Sequence, residues 1–158
     1  ALHETLYRSG DFSRVNLADY LSGVVRPMTR VIMATPGLVS FALDLEPVSV
    51  DMERAIPCGL VLNELASNAL KHGFPDGGEG TVWIALHHSE PDLVTLRVRD
   101  SGVGLPDDWN TRMGRSLGLQ IASDLARQLG GRLEIGPGST FEMLFPAASP
   151  FRPGAASA

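Results

Sequence analysis

Residues Cys58 to His72 read CGLVLNELASNALKH, and the fold is decided by how this stretch divides when wound at about 100° per residue. Cys58, Leu62, Leu65, Ala66 and Ala69 gather on one arc and make an ordinary core-facing stripe. Glu64, Asn68 and Lys71 gather on a second arc, within about 60° of one another, so a carboxylate, a carboxamide and an ammonium line one ridge at successive turns. A carboxylate can orient or deprotonate a nucleophile, an amide oxygen suits a hard cation such as magnesium, and a lysine meets a phosphate oxygen as a point charge. By itself the ridge also fits a solvated polar face with Glu–Lys spacing.

Upstream, Asp51 is placed to cap this helix, behind a break at Glu46-Pro47. Before the break, Val39, Phe41 and Leu43 alternate with Ser40, Ala42 and Asp44, the pattern of a strand. Thr35-Pro36-Gly37 is a turn. Leu17, Tyr20, Leu21, Val24, Val25, Met28 and Ile32 keep a helical period behind an Asn16 N-cap, and Pro27 is expected to kink or interrupt that helix. Leu2 to Tyr7 reads as the end of an earlier helix, broken by Ser9-Gly10-Asp11.

Downstream, Phe74 to Gly80 is a loop, and Thr81 to His88 and Leu93 to Arg99 are strands joined through Ser89 to Asp92. Asp100 to Arg115 is a long loop of the kind that is usually functional. Leu117 to Leu129 is an amphipathic helix closed by Gly130-Gly131. Arg132 to Ile135 and Thr140 to Phe145 are strands turned by Gly136-Pro137-Gly138, and a flexible tail is expected from Ala147. Hairpins stand beside helices, which excludes an alternating parallel βαβ sheet. The order implies an α+β, two-layer α/β sandwich: a mixed, mostly antiparallel sheet with helices on one face.

Composition narrows the function. The 158 residues are 44% hydrophobic and 20% charged, as in a globular domain. With 13 Lys and Arg against 18 Asp and Glu, the net charge is −5, which disfavours nucleic-acid binding through phosphate neutralisation. Cys58 is the single cysteine, so no intrachain disulfide and no cysteine-based zinc site can form. No apolar run approaches the roughly 18 residues of a membrane span, and no signal peptide is read. Ala1 rather than Met opens the sequence, and a fragment with a region upstream is expected.

Twelve of the 17 glycines fall between Gly73 and Gly138, so their use is regional. Ser101-Gly-Val-Gly-Leu-Pro106 follows Asp100 at a strand end, where two glycines let a flat ligand lie against the backbone and a carboxylate can accept from an amino group. An ordinary Asp-Ser-Gly turn has the same residues. Arg115-Ser-Leu-Gly-Leu119 opens a helix, where free amides beside a glycine make an anion site, or where Ser116 is simply an N-cap. There is no GxxxxGK[ST] sequence, and no GxGxxG follows a strand, so neither a P-loop nor a Rossmann site is indicated.

Taken in order, NELASNALKH, DSGVGLP, SLGLQIA, GGRLEI and STFEMLFP resemble the GHKL ATPase superfamily. Within it the chain is similar to the catalytic ATP-binding domain of bacterial sensor histidine kinases, of the HWE type or a closely related subfamily. The resemblance implies a Bergerat-type ATP-binding fold. It places Asn63, Glu64, Asn68, Lys71 and His72 in the N box, Asp100, Gly102 and Gly104 in the first glycine box, and Leu117 and Gly118 in the second. It implies that Asp100 accepts from the adenine amino group, that Asn68 ligates Mg²⁺, and that Asn63 or Lys71 lies near the phosphates of ATP. Glu64 is then the general base or orienting group, Leu117 and Gly118 give amides to the phosphates, and Thr140 is a further adenine contact. Arg115, at the end of an ATP lid from Val103, reaches phosphate.

The implied activity is transfer of the γ-phosphoryl of Mg-ATP to a histidine on a helix of the same or a partner protomer. The implied partners are that helix and a response regulator. The full-length protein is expected to be a cytoplasmic homodimer, with neither nucleic-acid nor membrane contact in this part. Residues 1–36 are assigned to the end of the dimerisation region and its linker helix, 37–146 to the ATP-binding domain and 147–158 to the tail. A nucleotide-binding regulatory module without transfer, and an anti-sigma-type serine kinase, share the same site and stay open. The sequence departs from the family at Ser-Leu-Gly-Leu, which lacks a fuller Gly-x-Gly, and in lacking a phenylalanine-centred lid motif. His3 is the only N-terminal acceptor candidate, while adjacent His87 and His88 point to opposite strand faces and are expected at the surface.

Overall fold

Alternating burial along four strands builds one wall of the core. The computed structural model describes residues 14–34, 39–74, 79–102, 117–136 and 138–148, and of these the side chains of 31–34 and of His72 are not described. Strands β1 (Arg14–Asn16), β2 (Val39–Leu45), β3 (Ser49–Asp51), β4 (Gly80–Glu90), β5 (Leu93–Asp100), β6 (Arg132–Gly136) and β7 (Thr140–Pro146) frame helices α1 (Leu17–Ala34), α2 (Met52–Gly73) and α3 (Leu117–Gln128). Five strands form a sheet in the order β2-β4-β5-β7-β6. β2 runs parallel to β4, and every other neighbouring pair is antiparallel. This is the mixed, mostly antiparallel sheet that the element order implies.

Val82, Ile84 and Leu86 on β4, Val94, Leu96 and Val98 on β5, and Phe141, Met143 and Phe145 on β7 are all buried towards the helices. The residues between them leave on the other face, where Arg99 stacks over the Trp83 ring at 4.9 Å and Arg97 pairs with Glu142 at 2.6 Å. Helices therefore cover one face only, which makes the two layers. From α2 the whole predicted stripe, Cys58, Leu62, Leu65, Ala66 and Ala69, is buried.

Three local readings change. Pro27 lies inside α1 without ending it. Gly23, whose carbonyl Pro27 cannot bond, is exposed like Pro27 itself, so water can meet the orphaned acceptor. Asp51 is the N-cap residue of α2, but its side chain makes no capping bond; its carboxylate accepts from Arg14 at 3.2 Å instead. That pair belongs to a two-stranded sheet of β1 and β3 that no three-residue periodicity could announce. Asn16 does cap α1, its Oδ1 accepting from the Ala18 N–H at 3.0 Å. Leu17 and Leu21 are fully buried and share one core with α2.

The end of α3 is closed as its two glycines require. The Gly130 N–H bonds the Arg127 carbonyl and the Gly131 N–H bonds the Ala126 carbonyl, each at 2.9 Å, and Gly130 has φ +81°: a Schellman cap. Gly131 is pressed so closely on β7 that a methyl group there would lie 1.8 Å from the Leu144 carbonyl oxygen. Gly136, two residues from the end of the sheet's edge turn, has its nearest neighbour at an ordinary 3.7 Å. Gly131→Ala should therefore destabilise by roughly 1–3 kcal/mol, because backbone cannot yield as a side chain does. Gly136→Ala should be neutral or stabilising by up to about 1 kcal/mol. Urea unfolding of the two variants side by side measures both.

Candidate functional site

The site forms where three element ends meet. The first is the C-terminal half of α2, whose polar ridge carries partly buried Glu64, buried Asn68 and exposed Lys71. Asn68 is 8% exposed, which an amide tolerates among apolar neighbours only when it has work for its polar atoms. The second is the end of β5, where Asp100 is also 8% exposed. The Asp100 Oδ1 accepts the Gly102 N–H at 2.8 Å. Ser101 then fastens the chain to β4: its N–H donates to the Thr81 carbonyl at 3.0 Å, and its Oγ accepts the Thr81 N–H at 2.8 Å. The third is the start of the described part of α3, Leu117 and Gly118.

Two contacts without side chains hold these ends together. A Cβ on Gly102 would fall 2.0 Å from the Gly73 carbonyl oxygen, and a Cβ on Gly73 would fall 2.7 Å from the Asp100 Oδ1. The last turn of α2 is thus seated directly on the loop that Asp100 begins. A Cβ on Gly118 would fall 1.9 Å from the Glu64 Oε1, so the start of α3 rests against the carboxylate in the middle of the α2 ridge. Asp100, Asn68, Glu64 and the α3 N-terminus consequently follow one another along a single helix.

The sequence-predicted residues divide accordingly. Glu64, Asn68, Asp100, Gly102 and Gly118 come together, with Leu117 exposed at the mouth and Lys71 exposed one turn beyond Asn68. Asn63 is exposed beside the ridge. Gly104 and Arg115 lie outside the described residues, as does His3, and for His72 only the backbone is placed, in the last turn of α2. Thr140 is not brought to the site. It pairs with Arg99, so its side chain leaves on the face of Arg99 and Trp83, opposite to that of Asp100. Its predecessor Ser139, in the turn before β7, is 4% exposed with φ +57°, a burial that carries no sequence signal. His87 lies near Asp44 at 3.3 Å and His88 is exposed, both on β4 and away from the site.

The arrangement offers a buried carboxylate acceptor at one end, the start of the described α3 at the other, and an amide oxygen with a carboxylate between. Burial pushes the Asp100 carboxyl above its ordinary range, against the opposing pull of the Gly102 hydrogen bond. Among the described residues no group of three or more His, Cys, Asp or Glu could hold a metal unaided.

Residues 54–149 match the family described as histidine kinase-, DNA gyrase B-, and HSP90-like ATPase. The chain is 30% identical over 104 residues to blue-light-activated histidine kinase 2 of Erythrobacter litoralis, covering 66% of this chain and 30% of that protein. It is 33% identical over 135 residues to the sensor histidine kinase PdtaS of Mycobacterium tuberculosis, covering 84% of this chain and 26% of that protein. The chain thus spans less than a third of the length of either relative. Among solved structures, the histidine kinase domain of the Erythrobacter litoralis EL346 blue-light-activated kinase superposes with a TM-score of 0.75 at 25% identity, covering 84% of this chain and 62% of that one.

Burial of Asp100 gives a pH signature. A carboxyl whose folded pKa is raised destabilises the fold wherever it is ionised, and the penalty fades as pH falls through that pKa towards the unfolded value. Asp100→Asn keeps an oxygen for the Gly102 N–H without the charge. It should raise the melting temperature at pH 7 by roughly 1–4 °C, with the gain shrinking as the pH is lowered into the acid range. A calorimetric pH series on both proteins checks the sign.

Proposed function

The chain belongs to the histidine kinase-, DNA gyrase B- and HSP90-like ATPase family, and from that premise we propose that it is the ATP-binding catalytic domain of a sensor histidine kinase. The observation that carries this reading is the Gly73–Gly102 seat, which sets buried Asp100 against the last turn of the helix that carries buried Asn68. An adenine amino group donates to the Asp100 carboxylate, and the base lies along the Gly102 loop. The triphosphate runs along the α2 ridge towards the amides of Leu117 and Gly118, where the positive end of the α3 dipole favours anionic oxygens. Lys71 adds a cation beyond Asn68, and Gly104 and Arg115 extend the loop side of the site.

The donor set suits magnesium. This cation is held by one or two protein oxygens together with substrate phosphates, and Asn68 and Glu64 supply an amide and a carboxylate oxygen one helical turn apart. Asn68 would hold it, and its charge would neutralise the phosphate oxygens as the γ-phosphoryl departs. Glu64 orients the imidazole of an acceptor histidine. A ring nitrogen attacks the γ-phosphorus, the bond to the β,γ-bridging oxygen breaks to release ADP, and Glu64 takes the ring proton. Positioning supplies most of the acceleration. The acceptor helix lies elsewhere in the same or a partner protomer, and a response regulator is the onward recipient. The assembly is a cytoplasmic homodimer.

Titration calorimetry of the chain with a non-hydrolysable ATP analogue, with and without Mg²⁺, tests the reading, and absence of binding by the folded chain would overturn it. Asp100→Asn should weaken binding by about 10–100-fold, the worth of a hydrogen bond to a charged acceptor. Asn68→Ala should weaken it only when Mg²⁺ is present. With a supplied acceptor helix the product should be acid-labile, as phosphohistidine is; an acid-stable product would redirect the assignment to a serine kinase.

A further inference from the structure

Arg54 is the least expected charge in the molecule. It stands in the first turn of α2, 6% exposed, among the side chains of the core. Its Nη2 donates to the Leu129 carbonyl at 2.5 Å and to the Pro146 carbonyl at 2.6 Å, and its guanidinium lies 5.9 Å from the centre of the Phe145 ring. Its Nε is buried with no partner among the described residues. Cys58, one turn on, offers no counter-charge, since burial pushes its thiol up to about 12.

What Arg54 does for α3 follows from the helix cap. The Schellman cap uses the carbonyls of Ala126 and Arg127, and Leu125 accepts from Leu129. The Leu129 carbonyl is left over, on a buried residue two positions before the Gly131 that is pressed against β7. Arg54 is the donor that reaches it, and the same nitrogen ties in the end of β7. A cation at a helix C-terminus also meets the negative end of the dipole.

The other end of α3 is fixed by Gly118 against Glu64. Arg54 and Glu64 are about 15 Å apart along α2, and Gly118 and Leu129 are about 16 Å apart along α3, at about 1.5 Å per residue. The two helices run antiparallel with both ends matched, so α2 holds α3 at two points a helix-length apart. We propose that Arg54 is a positioning residue for the phosphate end of the nucleotide site: by gripping the far end of α3 it sets the axial position of the Leu117 and Gly118 amides over Glu64. This inference rests on the ATP-binding reading for its ligand but not for its geometry. The effect expected is on phosphates rather than on the base, because Asp100 and Gly102 are seated on Gly73 of α2 and not on α3.

The test is Arg54→Met, which fills similar space without donors, and Arg54→Lys, which keeps a cation able to reach one carbonyl. Each is assayed in the whole chain well below its own melting temperature, with AMP and a non-hydrolysable ATP analogue as ligands and amide exchange read by mass spectrometry without nucleotide. In Arg54→Met the ATP analogue should bind about tenfold more weakly while AMP stays within twofold. The amides of Ile121 to Asp124, in the middle of α3 and clear of the turn that Arg54 contacts, should exchange about tenfold faster. Arg54→Lys should be intermediate in both, with about a threefold loss for the ATP analogue and none for AMP. Equal weakening for both nucleotides, weakening for neither, or faster exchange confined to residues 129–131 would overturn the proposal. If Arg54→Met fails to fold, Arg54→Lys carries the test, with a threefold loss for the ATP analogue alone as support and parity with wild type as refutation. A wild-type chain that binds neither ligand would remove the ATP-binding reading, and the exchange result alone would then decide the position of α3.

Discussion

The structure depends on a fixed angle within one helix. In α2 the arc that is buried and the arc that does chemistry are adjacent, and a helix cannot rotate one without rotating the other. Cys58, Leu62, Leu65, Ala66 and Ala69 leave water along the sheet-facing side, and burying each Leu-sized side chain is worth about 1.5–3 kcal/mol. That energy sets the roll of the helix. The roll then dictates that Glu64 meets Gly118, and that the helix ends with Gly73 on Gly102. The site is therefore aimed by the core, and a core substitution in α2 that altered its roll would be felt at the nucleotide without touching it.

Three polar groups are kept in places where the fold alone would favour apolar ones. Asp100 and Asn68 are buried at the seam between α2 and β5, and Arg54 is buried at the opposite end of α2. In the proposed site Asp100 and Asn68 are the groups that meet the ligand, and a buried polar group kept for that purpose costs stability. Arg54 faces no solvent-filled site, and its two carbonyl bonds look inward. The contrast separates groups that wait for a ligand from one that organises the scaffold. Cys58 belongs to neither kind: fully buried and with a thiol that resists ionisation, it packs as a small hydrophobic residue.

Much of this was legible in the sequence, and the failures share a cause. Long periodic elements announce themselves, so α2, α3 and the β4–β5 and β6–β7 hairpins fall where the spacing puts them, within a residue or two. The β1–β3 pair does not, because strands of three residues have no measurable period and their partners are far apart in sequence. Asp51 was read as a capping side chain because local chemistry permits it; Arg14, brought up by that hidden sheet, takes the carboxylate instead. Thr140 faces away from Asp100 because a motif fixes residue types and not the face of a strand. Arg54 gave no signal at all. A charged residue in the first turn of a helix reads as surface, and only the glycine cap of α3, packed beneath β7, turns it into a core residue.

A phosphate-binding site without a P-loop faces a particular demand. In a P-loop the glycine-rich turn wraps the phosphates, so the loop's own conformation defines the cradle. In the proposed site the phosphate donors are the first described amides of a separate helix, and a rigid helix can present them only where its whole body is placed. A displacement of α3 along its axis moves every one of those amides together. Side-chain packing along α3 resists sliding poorly, because Ala122 and Ala126, its most deeply buried residues, are small. The resistance must come from the ends, where hydrogen bonds and steric stops are directional. Gly118 against Glu64 stops motion one way, and the Arg54 grip on Leu129 stops it the other. The price of a helix as an anion site is a second anchor remote from the anion, and that anchor is what a buried arginine in a hydrophobic core supplies.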